Sequence, residues 1–427
     1  MCNNDSIKFK STYMPWIVWS LGCLFYFYEC LLQVSPGVMS HELMRDFSVT
    51  SQTLGILSGI YFYSYAAMQI PGGVMMDRFG PHKLLTVATL ICAFSTIAFG
   101  MTDHFWTACI ARLMIGFGSA FAVVGSLKLA ASWFAPQQFA LLTGLTVTIG
   151  MLGAIGGEAP LAVLIDTCGW RYSLMIMGCI GLFLALLIVL IVRDDPKQGL
   201  IETDTVSQEH RKFFVNIFLL IKNKQLWLVA VYGGLMYMST PVFCGLWGVP
   251  YLMLKMHVAK PVAANYISLV FVGWAIASPL WALFSNRIGR RKPPMYIAAI
   301  GSLITSLCFI YVSIQSQWIM QLLLLSFGIF SAGFLPAFTV AKELCSRRYV
   351  ATSLSFMNMI NMLGIAIAQP LIGFILDRFW TGAIIDNVRI YSLSAYHISL
   401  AILPCGILLA LLILLFVHET YCQSIDN

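Results

Sequence analysis

The sequence predicts an all-α membrane protein of twelve transmembrane helices arranged as two similar halves. Three observations carry that prediction. The 427 residues are 59% hydrophobic and only 10% charged, whereas a soluble domain carries about 25% charged residues. Apolar runs of about 20 residues, enough to cross a hydrocarbon core of ~30 Å, recur along the whole chain. Finally, a short charged turn between two such runs, Gly73-Val74-Met75-Met76-Asp77-Arg78-Phe79-Gly80-Pro81-His82-Lys83, has a degenerate second copy, Ala282-Leu283-Phe284-Ser285-Asn286-Arg287-Ile288-Gly289-Arg290-Arg291-Lys292. The copies are 209 positions apart (77 to 286, 80 to 289), one after the second span of each half. A closed barrel is the other structure able to span a bilayer, but its strands would be short and alternating, unlike these continuous runs.

In order, the spans fall at 13–36, 51–76, 84–102, 105–133, 137–165 and 170–193, then at 226–252, 262–285, 294–314, 317–343, 350–376 and 396–418. The organisation is therefore a first half at 1–193, a linker at 194–224 and a second half at 225–427. The linker is the longest polar stretch, with Asp194, Asp195, Lys197, Glu202, Asp204, Glu209, Arg211 and Lys212. It reads as a solvated tether, with 211–224 a candidate amphipathic surface helix. The N-terminus runs directly into the first apolar stretch, which reads as a membrane helix and not a cleaved signal.

Basic residues set the orientation. With both termini inside, 16 of the 25 Lys and Arg fall in inner segments. Six fall outside (Arg45, Arg171, Lys255, Lys260, Arg378, Arg389), and Arg112, Lys128 and Lys342 lie within spans. That bias places both termini in the cytoplasm. It also explains the net charge of +7 without nucleic acid. The 12 cysteines and 7 histidines form no metal-binding spacing and no disulfide framework. No P-loop is present, and no cluster of catalytic His, Asp or Ser sits at one membrane face. Cofactor, metal and enzymatic activity are therefore not expected.

The repeated turn, the twelve spans and the long central linker together resemble the major facilitator superfamily. The turn matches its signature Gly-x-x-x-Asp-Arg-x-Gly at Gly73, Asp77, Arg78 and Gly80. It departs at Pro81 and His82, where a basic pair is usual, and keeps Lys83. The second copy keeps Arg287 and Gly289 but has Asn286 for the acid. Arg112-x-x-x-Gly116-x-Gly118 matches a second family pattern. The resemblance implies two six-helix bundles around a central cavity, lined by the first, fourth, seventh and tenth spans, and alternating access by rocking. It also implies a gate in which Asp77 meets the start of the eleventh span. Phe25-Tyr26-Phe27-Tyr28-Glu29, Gln33-Val34-Ser35-Pro36, Gly245-Leu246-Trp247-Gly248-Val249-Pro250-Tyr251 and Ala341-Lys342-Glu343 resemble a proteobacterial branch that includes phagosomal amino-acid transporters.

Ionisable residues inside a span are expensive in lipid and point to function. Glu29, Arg112 and Glu158 each lie about seven residues from the outer end of their spans, roughly 10 Å deep. Matching depth lets Arg112 pair with one carboxylate while the other exchanges a proton, or lets it form a static ion pair. Tyr26, Glu29 and Gln33 share one helical face. Lys128 and Lys342, in equivalent spans, either receive an anionic group of a solute or snorkel to headgroups. Gly150, Gly153, Gly156, Gly157 and Pro160 permit close helix approach in the fifth span; without a Gly-Pro dipeptide they only partly resemble the family's antiporter signature. Asn358 and Asn361 share a face in the eleventh span, as cavity donors or inter-helix ties. Trp247, Tyr251, Tyr61 and Tyr65 are candidate solute contacts, with packing or an interface belt the commoner role for any one of them. The expected function is proton-coupled import of a small polar organic solute, an amino acid first, then a peptide or organic acid, by a monomer. An exporter, a siderophore permease or a non-transporting membrane sensor are the alternatives.

Overall fold

A computed structural model describes residues 5–193, 222–345 and 350–423. The chain opens with α1 (Asp5–Val34), a short surface helix α2 (Ser40–Phe47), α3 (Ser51–Phe79) and α4 (Pro81–Met101). The fourth span is α5 (Phe105–Ser119) plus α6 (Ala122–Trp133), the fifth α7 (Phe139–Gly156) plus α8 (Ala159–Cys168), and the sixth α9 (Trp170–Ile191). After the linker, the seventh span is α10 (Lys224–Val242), a π-helical turn at Phe243–Trp247 and α11 (Gly248–Met256). Then come α12 (Lys260–Ile288), α13 (Lys292–Tyr311), α14 (Gln317–Ser331) with α15 (Pro336–Glu343), and α16 (Val350–Arg378). A hairpin of β1 (Ile384–Ile385) and β2 (Val388–Arg389) precedes α17 (Leu393–Leu400) and α18 (Ile402–Phe416), the two parts of the last span.

Eleven of the twelve expected spans are helical stretches long and apolar enough to cross a membrane. The second, α3, is a 29-residue helix, about 43 Å long at 1.5 Å per residue, but Gln52, Ser58, Tyr61, Ser64, Tyr65 and Gln69 make it more polar. Its place explains much of that composition: Ser58, Tyr61, Tyr65 and Gln69 are buried, and one side of α3 packs along α16 of the other half. The linker at 194–221, including most of the candidate amphipathic helix, lies outside the described residues.

The halves repeat element by element. α3 and α12 are both 29 residues long, and α5 and α14 are both 15. Each half closes into a six-helix bundle. The bundles meet along two seams, α3 on α16 and α12 on α7 and α8. Glycine lets the seams close. A Cβ on Gly55 would lie 2.6 Å from the Gln369 carbonyl, and one on Gly373 2.2 Å from that of Ser51.

The two ends of the molecule differ. The end carrying α2 and the β-hairpin, the hairpin end, is closed. There Gly37 packs on Cys244 and Gly245, and Lys260 bridges Glu42 at 2.5 Å and Asp166 at 2.8 Å across the seam. Inter-bundle contacts along α3 continue as far as Gln69, whose Oε1 accepts from Asn358 Nδ2 at 2.7 Å. Nearer the linker end, Gly72 faces only Phe121 of its own bundle and Gly73 meets nothing within 4 Å.

Candidate functional site

The site is assembled from α1, α3 and α5 of the first bundle. Gly116 seats α5 on α3: a Cβ there would lie 2.1 Å from the Tyr61 carbonyl oxygen and 2.4 Å from Ser64 Oγ. That close approach brings Arg112, one turn earlier, over the ring of Tyr61, with Cζ 4.8 Å from the centroid. From the other direction, Gly150, Gly153 and Gly157 seat the fifth span on α1. The missing Cβ atoms would fall 2.3 Å from the Tyr26 ring, 2.1 Å from the Phe27 carbonyl and 2.7 Å from the Leu31 carbonyl. The glycine stripe therefore brings helices together, as its spacing predicts.

Glu29 lies buried between these helices. Its Oε1 accepts from the Tyr61 hydroxyl at 2.5 Å and its Oε2 from Cys30 Sγ at 3.4 Å. Arg112 Nη1 donates to the Leu32 carbonyl at 3.0 Å, while Nε and Nη2 have no hydrogen-bond partner. The expected direct pairing of Arg112 with a carboxylate is corrected here. Among the described residues no ion pair joins Arg112 to Glu29 or Glu158. Tyr61 stands between, bonding Glu29 through its hydroxyl and Arg112 through its face. A guanidinium over such a ring contributes about 0.5–2 kcal/mol. Equal depth in the sequence shows nothing of which way a helix face points, so the intermediary was not legible there.

Glu158 lies elsewhere, at the break between α7 and α8. It is fully buried, and neither carboxyl oxygen has a hydrogen-bond partner. Across the seam, Cys244 lies within its electrostatic reach. Gln33 faces Tyr237 of the second bundle. Tyr237 stacks in turn with Trp274 and Phe334, an aromatic group the sequence reading did not single out. Asn358 joins the bundles through Gln69, whereas Asn361 is buried with both amide atoms unpartnered. Trp247 is no open solute contact in this arrangement: it is buried, and its Nε1 donates to the Gln369 carbonyl at 3.3 Å, tying the seventh span to the eleventh. Tyr251 likewise donates to the carbonyls of Phe309 and Ile310.

The two lysines part company. Lys128 Nζ bonds Asp77 at 2.7 Å, within the first bundle, and the Asp77 side chain is 71% exposed. Lys342 is exposed, while its neighbour Glu343 is buried and holds Arg291 through both Nε and Nη2, at 3.1 and 2.7 Å. Arg291 Nη1 also donates to Ser285 and Asn286. Glu419 caps α13 by accepting from the backbone N–H of Arg291 and Lys292. In the first turn Arg78 lies over the Phe79 ring and Lys83 is exposed; in the second Arg287 is exposed. Gly80 (φ 79°) and Gly289 (φ 68°) occupy the positive-φ region that favours glycine at both turns.

Comparison with known proteins agrees with this architecture. The family model for the Major Facilitator Superfamily matches residues 21–252 and 245–421. The probable sulfoacetate transporter SauU of Cupriavidus necator is 28% identical over 174 residues, 41% of this chain and 40% of that protein. YybO of Bacillus subtilis, an uncharacterized transporter, is 32% identical over 35% of this chain and 34% of its own length. The chain thus spans well under half of these two relatives. The match to the lysosomal dipeptide transporter MFSD1 of Mus musculus is longer, 23% identical over 84% of this chain and 80% of that protein. Among solved structures, a bacterial homologue of the human lysosomal transporter Spinster, inward-facing and occupied, superposes with TM-score 0.75 at 15% identity over 95% of this chain and 96% of that one. The D-xylose–proton symporter does so with TM-score 0.73 at 17% identity over 96% and 98%. The chain therefore belongs to the Major Facilitator Superfamily.

Proposed function

We propose that this protein is a secondary transporter that imports a small polar organic solute together with protons, across a bacterial inner membrane with both termini cytoplasmic, and that the solute is an amino acid or dipeptide. The observation that carries this reading is the Glu29–Tyr61–Arg112 arrangement, an acid and a base on two sides of one buried phenol. Whether a carboxyl holds a proton depends on its burial and on the distance to nearby positive charge. Rocking of the bundles changes the burial of Glu29 while Tyr61 and Arg112 travel with it in the first bundle, which lets its proton load follow the transport cycle. A solute carrying both an ammonium and a carboxylate complements the acid and the base together. The long match to a dipeptide transporter supports the same class.

A second reading has its own observation. The unpartnered Nε and Nη2 of Arg112 form the edge that binds carboxylates in bidentate fashion. That edge suits an organic anion, the class named for SauU and for the probable galactarate/D-glucarate transporter GarP of Escherichia coli. Uptake into proteoliposomes decides between them. Labelled amino acids, dipeptides, sulfonates and sugar acids are each offered with and without an inward proton gradient. Gradient-dependent accumulation of an amino acid or dipeptide supports the first reading. Accumulation of acids alone supports the second, and efflux driven by the gradient makes the protein an exporter. Saturable binding without accumulation of any solute makes it a sensor.

A further inference from the structure

The motif Gly-x-x-x-Asp-Arg-Phe occurs twice on the helices that form one seam. It ends α3 as Gly73-Val74-Met75-Met76-Asp77-Arg78-Phe79, and it ends α16 as Gly373-Phe374-Ile375-Leu376-Asp377-Arg378-Phe379. These two helices, each of 29 residues, lie antiparallel, so the end of one adjoins the start of the other. At the hairpin end the contact is made. Asp377 Oδ2 accepts from the backbone N–H of Gln52, on the first turn of α3, at 2.9 Å. Asp377 Oδ1 accepts from the Tyr391 hydroxyl at 2.5 Å and from Arg389 Nη1 at 3.4 Å. The Tyr391 oxygen in turn accepts from the N–H of Ser51 at 3.4 Å.

A helix begins with N–H groups that its own backbone leaves unbonded, and with a partial positive charge. In α3 the N–H of Thr53 is bonded by the Thr50 side chain of the same bundle. Those of Ser51 and Gln52 are bonded by residues of the opposite bundle. Gly373 allows the approach, since a Cβ there would lie 2.8 Å from Gln52 Cα. Separating the bundles at this end breaks both cross-seam caps and moves the Asp377 carboxylate off the helix terminus.

We propose that Asp377 is a positioning residue for the transport cycle, a latch that holds the hairpin end shut by capping α3 across the seam and must be released before that end opens. The proposal rests on the alternating-access reading but not on the identity of the solute or on proton coupling.

Native cysteines report it. Cys244 is buried at the closed hairpin-end seam against Gly37, Cys92 is buried inside the first bundle, and Cys168 is exposed. The full-length protein is alkylated with a maleimide without solute or gradient, and each site is read by peptide mass spectrometry. Asp377→Asn keeps the shape and removes the charge. It is expected to raise the Cys244 rate about fivefold, the weight of one charge at a helix N-terminus, with Cys92 and Cys168 unchanged. Tyr391→Phe keeps the charge, removes the cap on Ser51, and is expected to give a smaller rise of the same sign. An unchanged Cys244 rate in Asp377→Asn, with Cys92 still protected, overturns the latch. If Cys92 opens as well, that variant has lost its fold and Tyr391→Phe decides: a rise at Cys244 alone supports the latch and no rise overturns it. Since labelling needs no uptake, failure of every solute in the transport panel leaves this result standing.

Discussion

Gly116→Ala tests whether the site depends on the close seating of α5 against α3. The added Cβ falls 2.1 Å from a backbone oxygen, which no rotamer change relieves. The helices must therefore part by roughly 1 Å to restore ordinary contact distance. Overpacking of this kind costs about 1–3 kcal/mol. Alanine also gains about 1 kcal/mol over glycine within a helix, which would mask part of the loss. Gly144→Ala removes that ambiguity, because Gly144 has nothing within 4 Å of its missing Cβ and gains the same propensity. The difference between the two variants isolates the clash at about 1–3 kcal/mol, measured by denaturant unfolding in detergent. Displacing Arg112 from the Tyr61 ring should also lower uptake by Gly116→Ala at least tenfold, as ångström-scale misplacement of a working group can do roughly a hundredfold. Equal stability of the two variants, with wild-type uptake by Gly116→Ala, would refute the reasoning.

Other expectations follow from the same geometry. Glu29→Gln should still exchange solute down its gradient but fail to concentrate it against one; if only Glu158→Gln abolishes the response to an imposed pH gradient, the coupling group lies in the fifth span. Glu343→Gln breaks a buried bidentate pair with Arg291 and should destabilise the second bundle by about 3–5 kcal/mol, whereas Asp77→Asn removes an exposed pair and should change stability by under about 1 kcal/mol while slowing transport. Asp46, on α2 outside the spans, tests pH dependence. Burial would push its carboxyl up, but the Trp170 indole N–H and the Arg45 and Arg171 guanidiniums outweigh burial and hold it below the usual carboxylate range. Its contribution is therefore complete above the ordinary carboxylate range and lost as pH falls through the lowered value. Acid titration of unfolding should show a shallower acid limb in Asp46→Asn.

The spans and the twofold organisation were legible because hydropathy and basic turns are properties of stretches, and neighbouring packing does not alter them. What escaped depends on direction. Lys342 and Glu343 are adjacent and therefore point about 100° apart on a helix; only packing against Arg291 shows that the acid is the buried member. Tyr61 was visible as a candidate aromatic, but its place between Glu29 and Arg112 follows from the seating of α5 on α3, which the sequence signals only as a glycine four residues after the arginine. Trp247 stands in the sequence as one of four aromatics open to either solute contact or packing. Its stretch forms the π-helical turn and the start of α11, and the indole ties to the eleventh span. The β-hairpin has two-residue strands, too short for an alternating pattern. Its one local signal is Asp386-Asn387, both at positive φ, the pair a tight hairpin turn favours.

The repeated basic turn has diverged into two different devices, and the substitutions explain how. The first copy kept its acid, Asp77, but has Pro81 and His82 where the second has Arg290 and Arg291. Its acid remains exposed and only lightly held by Lys128, free to take another partner when the bundles rock. The second copy replaced the acid with Asn286 and kept the basic run. Arg291 is thereby drawn inward, where Ser285, Asn286 and Glu343 satisfy it. A buried guanidinium with several partners is a fixed tie, because exposing one side would strand the others without partners. The linker end of the second bundle is thus locked by its own turn, while the movable acids of the α3–α16 seam, Asp77 and Asp377, sit at its opposite ends. On the proposed alternating-access cycle, the Arg291 tie is expected to travel with the second bundle, and the seam is expected to carry the choice of which end opens.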